Sequence, residues 1–62
     1  MKIVLTLEET AEFLKVHPST IYRLLKKKQI PAIKVGSDWR FTHESIERWI
    51  REREQSENLA RN

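Results

Sequence analysis

The chain has no cysteine, one glycine (Gly36) and two prolines (Pro18 and Pro31). Without cysteine there can be no disulfide and no thiolate metal site. The two histidines, His17 and His43, lie far apart with no carboxylate pattern around them, so neither a metal nor another cofactor is expected. A single glycine excludes a glycine-rich phosphate loop. Ser19 and Ser45 have no neighbouring histidine–acid constellation, so an enzyme is not expected. No apolar run approaches a transmembrane span. The Ile3-Val4-Leu5 run is too short for a signal peptide, and acidic residues follow it at once. The expected setting is the cytoplasm, with no membrane partner. Sixty-two residues predict one domain. A domain of that size buries only about 60% of its unfolded surface, which leaves no room for a large substrate pocket, and no small-molecule substrate is expected.

The net charge is +3, and it is unevenly placed. Residues 1–14 set Lys2 against Glu8, Glu9 and Glu12, for a net −2. Residues 15–40 set Lys15, Arg23, Lys26, Lys27, Lys28, Lys34 and Arg40 against Asp38 alone, for a net +6. Residues 41–62 set four arginines against five glutamates, for a net −1. A basic middle segment is the electrostatic footprint of a polyanion-binding surface, although a merely solvated basic surface has the same composition.

Residues 1–5 read as extended, a short edge strand. Thr6-Leu7-Glu8-Glu9 is a capping box that starts a first helix. Leu7, Ala11 and Leu14 recur at helical spacing, with Phe13 beside them. This helix is expected to end near Lys15, and residues 15–17 form a tight turn. Pro18 then opens a second helix, because proline at the first helical position forfeits no hydrogen bond. His17 becomes its N-cap, with Ser19 sharing that task. Two helices joined by about three residues is helix-turn-helix spacing, here without the usual glycine in the turn.

At about 100° per residue, Ile21, Leu24 and Leu25 fall on one side of the second helix. Ser19, Arg23 and Lys26 fall on the other, flanked by Tyr22 and Lys27. Short hydroxyls and cations are the side chains that hydrogen-bond base edges and phosphates. Ser19, Thr20 and Arg23 lie in the N-terminal half, which enters the major groove in helix-turn-helix proteins. Lys26 and Lys27 are placed for phosphate. Tyr22 admits two roles, a ring covering the junction of the two helices and a hydroxyl reaching phosphate.

The second helix fades after Lys28, and Pro31 forbids its continuation. Ile33, Val35, Trp39 and Phe41 alternate with Lys34 and Arg40 around Gly36-Ser37-Asp38, which predicts a hairpin. A two-residue loop would mix apolar and charged residues on each face. A three-residue loop pairs Val35 with Trp39, Lys34 with Arg40 and Ile33 with Phe41, and gathers the apolar residues on one face, so that register is expected. It also sets Lys34 and Arg40 together on the outer face, where they would meet phosphate. Thr42 caps a third helix from His43, with Ile46, Trp49 and Ile50 as its apolar stripe. Glu44–Arg48, Glu47–Arg51 and Arg48–Glu52 are its expected i,i+4 pairs. Trp39 and Trp49 occupy apolar positions and are expected in the core rather than stacked on bases. Residues 1–53 then form the domain, and 54–62 a polar, frayed or flexible tail. The expected core is Leu7, Ala11, Leu14, Ile21, Leu24, Ile33, Val35, Trp39, Phe41, Ile46 and Trp49.

The segments Leu5–Leu14, Val16–Leu24, Ile30–Gly36, Trp39-Arg40-Phe41 and Ile46–Ile50 together resemble the excisionase family of DNA-binding domains, within the MerR-like superfamily. The resemblance covers residues 5–50. It implies a mainly α winged helix-turn-helix, three helices plus a small β-hairpin wing. It implies that the second helix enters the major groove of double-stranded DNA while the wing meets the adjacent minor groove or backbone. It carries DNA contact onto Ser19, Thr20, Tyr22, Arg23, Lys34 and Arg40. His17 stands where a serine or threonine cap is common, and Asp38 where the wing is often basic. Two roles follow from the resemblance: a recombination directionality or architectural factor acting with an integrase or with further copies on adjacent sites, and a small transcriptional regulator of a mobile element. Either would be nucleoid-associated. A third role, apart from DNA, is a protein-interaction module acting through the charged tail.

Overall fold

The computed structural model describes residues 3–60, with side chains described over 3–57. In chain order the elements are β1 (Val4–Leu5), α1 (Leu7–Leu14), α2 (Pro18–Lys26), β2 (Ile33–Val35), β3 (Asp38–Thr42) and α3 (His43–Ala60). The strands form an antiparallel sheet in the order β1-β3-β2. Three helices with this small sheet make a mainly α winged helix-turn-helix, the wing being the β2–β3 hairpin. Residues 1–2 of the expected N-terminal strand lie outside the described residues. The remainder pairs with β3, Val4 opposite Thr42 and Leu5 opposite Phe41.

The capping box forms as expected. The Glu9 amide donates to Thr6 Oγ1 at 3.1 Å, and the Thr6 amide donates to Glu9 Oε1 at 2.9 Å. Glu8 and Glu9 occupy the first turn of α1, where the helix dipole favours anions. Thr10 is fully buried, and its hydroxyl donates to the Thr6 carbonyl at 2.8 Å, so the burial leaves no unmet donor.

Both α1 and α2 end on a lysine in the left-handed region, Lys15 at φ 61° and Lys28 at φ 57°. Each ending is a Schellman motif. The Val16 amide reaches the Ala11 carbonyl at 2.9 Å and the Lys15 amide reaches Glu12 at 3.2 Å. The same pattern recurs when the Gln29 amide reaches Leu24 and the Lys28 amide reaches Leu25. The glycine missing from the turn is thus replaced by a strained lysine, and the three-residue connection survives.

The buried core draws one apolar residue from each element except β2, plus one from the loop after α2. These are Leu5, Ala11, Ile21, Ile30, Phe41 and Ile46. Leu7, Leu14, Leu24, Leu25, Ala32, Trp49 and Ile50 pack around them, partly buried. Three expected core residues lie outside it: Ile33, Val35 and Trp39 are 48%, 58% and 39% exposed. Leu5, Thr10 and Ile30 take core places that the apolar periodicity did not assign. Phe13 is exposed, tilted against the His43 ring with centroids 5.0 Å apart.

The hairpin register explains the exposed strand residues. Ile33 pairs with Arg40, Lys34 with Trp39 and Val35 with Asp38, so the loop is the two residues Gly36-Ser37 and not three. Gly36 has φ +65°, and glycine at the first of two loop residues is the signature of a type II′ hairpin turn. The turn chemistry therefore overrides apolar segregation. A shift of one residue moves every side chain of β2 relative to β3.

Thr42 caps α3, its Oγ1 accepting from the Ser45 amide at 3.2 Å. The helix runs past Arg53 to Ala60, where a frayed or flexible segment was expected. Residues 54–60 contain neither glycine nor proline and are rich in good helix formers. The expected i,i+4 pairs Glu44–Arg48, Glu47–Arg51 and Arg48–Glu52 do not close among the described residues. Glu47 instead faces His43, Oε1 to Nδ1 at 3.6 Å. The Trp49 indole N–H donates to the Gln29 carbonyl at 2.9 Å, tying α3 to the segment that follows α2.

A left-handed non-glycine residue costs about 1–2 kcal/mol. Lys15→Gly is therefore expected to raise the unfolding free energy by about 1 kcal/mol after glycine's own entropy cost. The check is a higher urea midpoint at unchanged slope.

Candidate nucleic-acid interface

The interface begins with the backbone at the start of α2. His17 is the N-cap, with extended dihedrals (φ −69°, ψ 144°), and Pro18 occupies the first helical position. The Ser19 amide donates to His17 Nδ1 at 3.1 Å, and Ser19 Oγ lies 2.9 Å from the same nitrogen. Ser19 thus receives the cap and does not share in making it. The Thr20 amide donates to the His17 carbonyl at 2.9 Å. A capped first turn leaves the Ser19 side chain on an ordered, exposed platform.

The two faces of α2 separate as the periodicity predicts. Ile21 is fully buried, and Leu24 and Leu25 are half-buried against the core. Ser19, Tyr22, Arg23, Lys26 and Lys27 are exposed, and Thr20 is half-buried at the border. Tyr22 is 52% exposed, with the Lys26 ammonium 5.2 Å above its ring. Such a stack holds the lysine over the helix surface and fixes where its charge is presented. Lys28 was not singled out from the sequence. It follows the same exposed run in its left-handed conformation, and the triple-lysine run was the available signal.

Among the described residues, no carboxylate comes within ion-pair distance of Arg23, Lys26, Lys27, Lys28 or Lys34. Their charge is left for an external anion, and it adds up over a short span.

The wing places its cations differently from expectation. Lys34 and Arg40 do not sit opposite each other on the outer face. Directly opposed residues share a face of a sheet, so Lys34 shares one with Trp39, and Arg40 shares the other with Ile33. The Lys34 ammonium lies 5.5 Å over the Trp39 ring. Arg40 is half-buried, its Nη1 donating to the Trp39 carbonyl at 2.7 Å and its Nη2 lying 3.9 Å from Asp38 Oδ2. The structure thus brings five of the eight predicted contact residues onto α2 with Lys27 at its C-cap, and splits the remaining two across the hairpin. Trp49 is committed internally, by its hydrogen bond to Gln29 and by Arg53 lying 4.8 Å over its ring.

Among the described residues, no group of three His, Cys, Asp or Glu side chains could hold a metal ion. No helix among them is long and apolar enough to cross a membrane.

A short turn between two helices, a basic second helix and a hairpin behind it define the class as a winged helix-turn-helix domain. A family model described as a helix-turn-helix domain matches residues 4–54, and the chain belongs to that family, which is associated with excisionase-like DNA-binding domains. No curated protein and no solved structure matches the chain. Membership supports binding to double-stranded DNA, and the family is typically non-enzymatic.

Proposed function

We propose that this protein is a sequence-specific double-stranded DNA-binding protein, not an enzyme, that lays α2 in the major groove and sets its wing on the adjacent backbone or minor groove. The observation that carries this is the exposed face of α2, a capped helix presenting hydroxyls and cations that no described carboxylate neutralises. Ser19, Thr20 and Arg23 face base edges. Tyr22, Lys26 and Lys27 meet phosphates. Lys34 and Arg40 extend the contact from the two faces of the wing, so its tip approaches DNA rather than one flat side. Asp38 draws on Arg40 at the wing tip and opposes the same phosphates. No cofactor takes part.

The family association supports a narrower role, an excisionase-like architectural factor that binds adjacent sites, bends them and acts with a recombinase or with further copies of itself. Such a factor would act in the cytoplasm, on the nucleoid. Occupancy of one operator without bending would make it a transcriptional regulator instead. DNA affinity that survives removal of residues 54–62 would leave that segment for a protein partner.

The first test is fluorescence anisotropy of a labelled random duplex at several salt concentrations. Four phosphate contacts from Lys26, Lys27, Lys34 and Arg40 give an expected log–log slope of about −3 to −4. Absence of binding even at low salt overturns the proposal. On a selected site, Arg23→Ala is expected to cost about 1–3 kcal/mol and to relax base preference, since arginine reads guanine with two hydrogen bonds. Asp38→Lys is expected to strengthen binding to any duplex at low salt. Unchanged random-duplex affinity in that variant would take the wing off the DNA.

A further inference from the structure

The cap of α2 has a consequence for base selection. A backbone amide only donates, so His17 Nδ1, 3.1 Å from the Ser19 amide, must be the acceptor nitrogen of its ring. The ring proton then sits on Nε2. Ser19 Oγ lies 2.9 Å from the same Nδ1, and an acceptor nitrogen can be met only by a hydroxyl that donates. The Ser19 proton is therefore turned back toward His17. What Ser19 shows to its surroundings is two lone pairs.

We infer that His17 is a specificity-setting positioning residue, which holds the Ser19 hydroxyl as a hydrogen-bond acceptor toward DNA. This rests on the reading that α2 enters the major groove with Ser19 facing a base edge. A free serine hydroxyl both donates and accepts, and so is indifferent to bases. A serine locked as an acceptor is not. It pairs with the amino group of adenine N6 or cytosine N4 and meets the acceptor atoms of guanine O6 and thymine O4 with lone pairs. Turning the hydroxyl round to donate to guanine or thymine would forfeit its bond to Nδ1. His17 thus acts on base choice without touching a base.

The test uses the full chain and a selected duplex in four versions, each with a different base at one position of the strand that Ser19 reads. Ser19→Ala identifies that position as the one where the four-base pattern disappears. There the wild type is expected to favour A or C over G or T by about fivefold, which is what one exposed hydrogen bond of ~1 kcal/mol converts to. His17→Ala releases the hydroxyl and is expected to bring that preference below about twofold, with the preference at other positions intact. His17→Asn keeps an acceptor oxygen at the cap, where asparagine is a favoured residue, and is expected to restore the preference. Its thermal unfolding is measured alongside, so that a misfolded helix is not read as lost selectivity.

Three results would overturn the inference. One is a His17→Ala variant that weakens all four duplexes by the same factor, which makes His17 a cap and nothing more. Another is a preference for G or T at the Ser19 position. The third is a Ser19→Ala variant with an unchanged pattern on a duplex that still binds specifically, which removes Ser19 from base reading and leaves the DNA-binding proposal standing. Failure of that broader proposal is separately visible, because then no selected duplex outcompetes a random one.

Discussion

The geometry of this domain depends on one turn of three residues. α1 and α2 must reverse direction so that Ala11 and Ile21 face the same small core. The reversal needs a residue in the left-handed region, and the chain supplies Lys15. Its strain is offset by the two Schellman hydrogen bonds and by the core burial that the reversal allows. Lysine suits the place for another reason, because a cation at a helix C-terminus interacts favourably with the helix dipole. The same solution ends α2 at Lys28, where the charge also extends the basic face of that helix.

From that turn the rest of the architecture follows with little redundancy. Leu5, Ala11, Ile21, Ile30, Phe41 and Ile46 come from five elements and one loop, so each of those five elements is held by one buried apolar side chain. β2 contributes none, and its residues are exposed. It is held by pairing with β3, which Phe41 anchors. β2 is therefore the strand with no buried side chain, the property that allows local opening. Arg51 to Glu57 on α3 are likewise exposed, and that half of the helix stands on propensity rather than packing.

Charge follows the same division of labour. The acidic residues of α1 serve its capping box and first turn, while the cations of α2 find no described carboxylate. Helix-turn-helix membership gives that unneutralised face its meaning, since a polyanion is the partner it lacks. Two lysines are stacked on aromatic rings, Lys26 on Tyr22 and Lys34 on Trp39. This stacking orders the charge without cancelling it. Tyr22 is thereby explained as part of the exposed surface, where the sequence allowed either role.

The helices were legible because their signals are local. A capping box, a proline at the first helical position and apolar residues three and four apart each act within one or two turns. The polar face of α2, on which Ser19, Tyr22, Arg23 and Lys26 are exposed, was legible for the same reason. What needed the tertiary structure was non-local or turn-specific. Whether Val35 pairs with Asp38 or Trp39 is decided by the dihedrals of Gly36, and one residue of slip sends Lys34 and Arg40 to opposite faces. Leu5, Thr10 and Ile30 become core only because β1 pairs with β3 and the segment after α2 folds in beneath α3. By itself, then, the sequence determined three helices, a wing and a basic exposed face on α2, since periodicity and capping act over a few residues. The tertiary structure decided the hairpin register and the membership of the core, because each depends on which atoms meet in space.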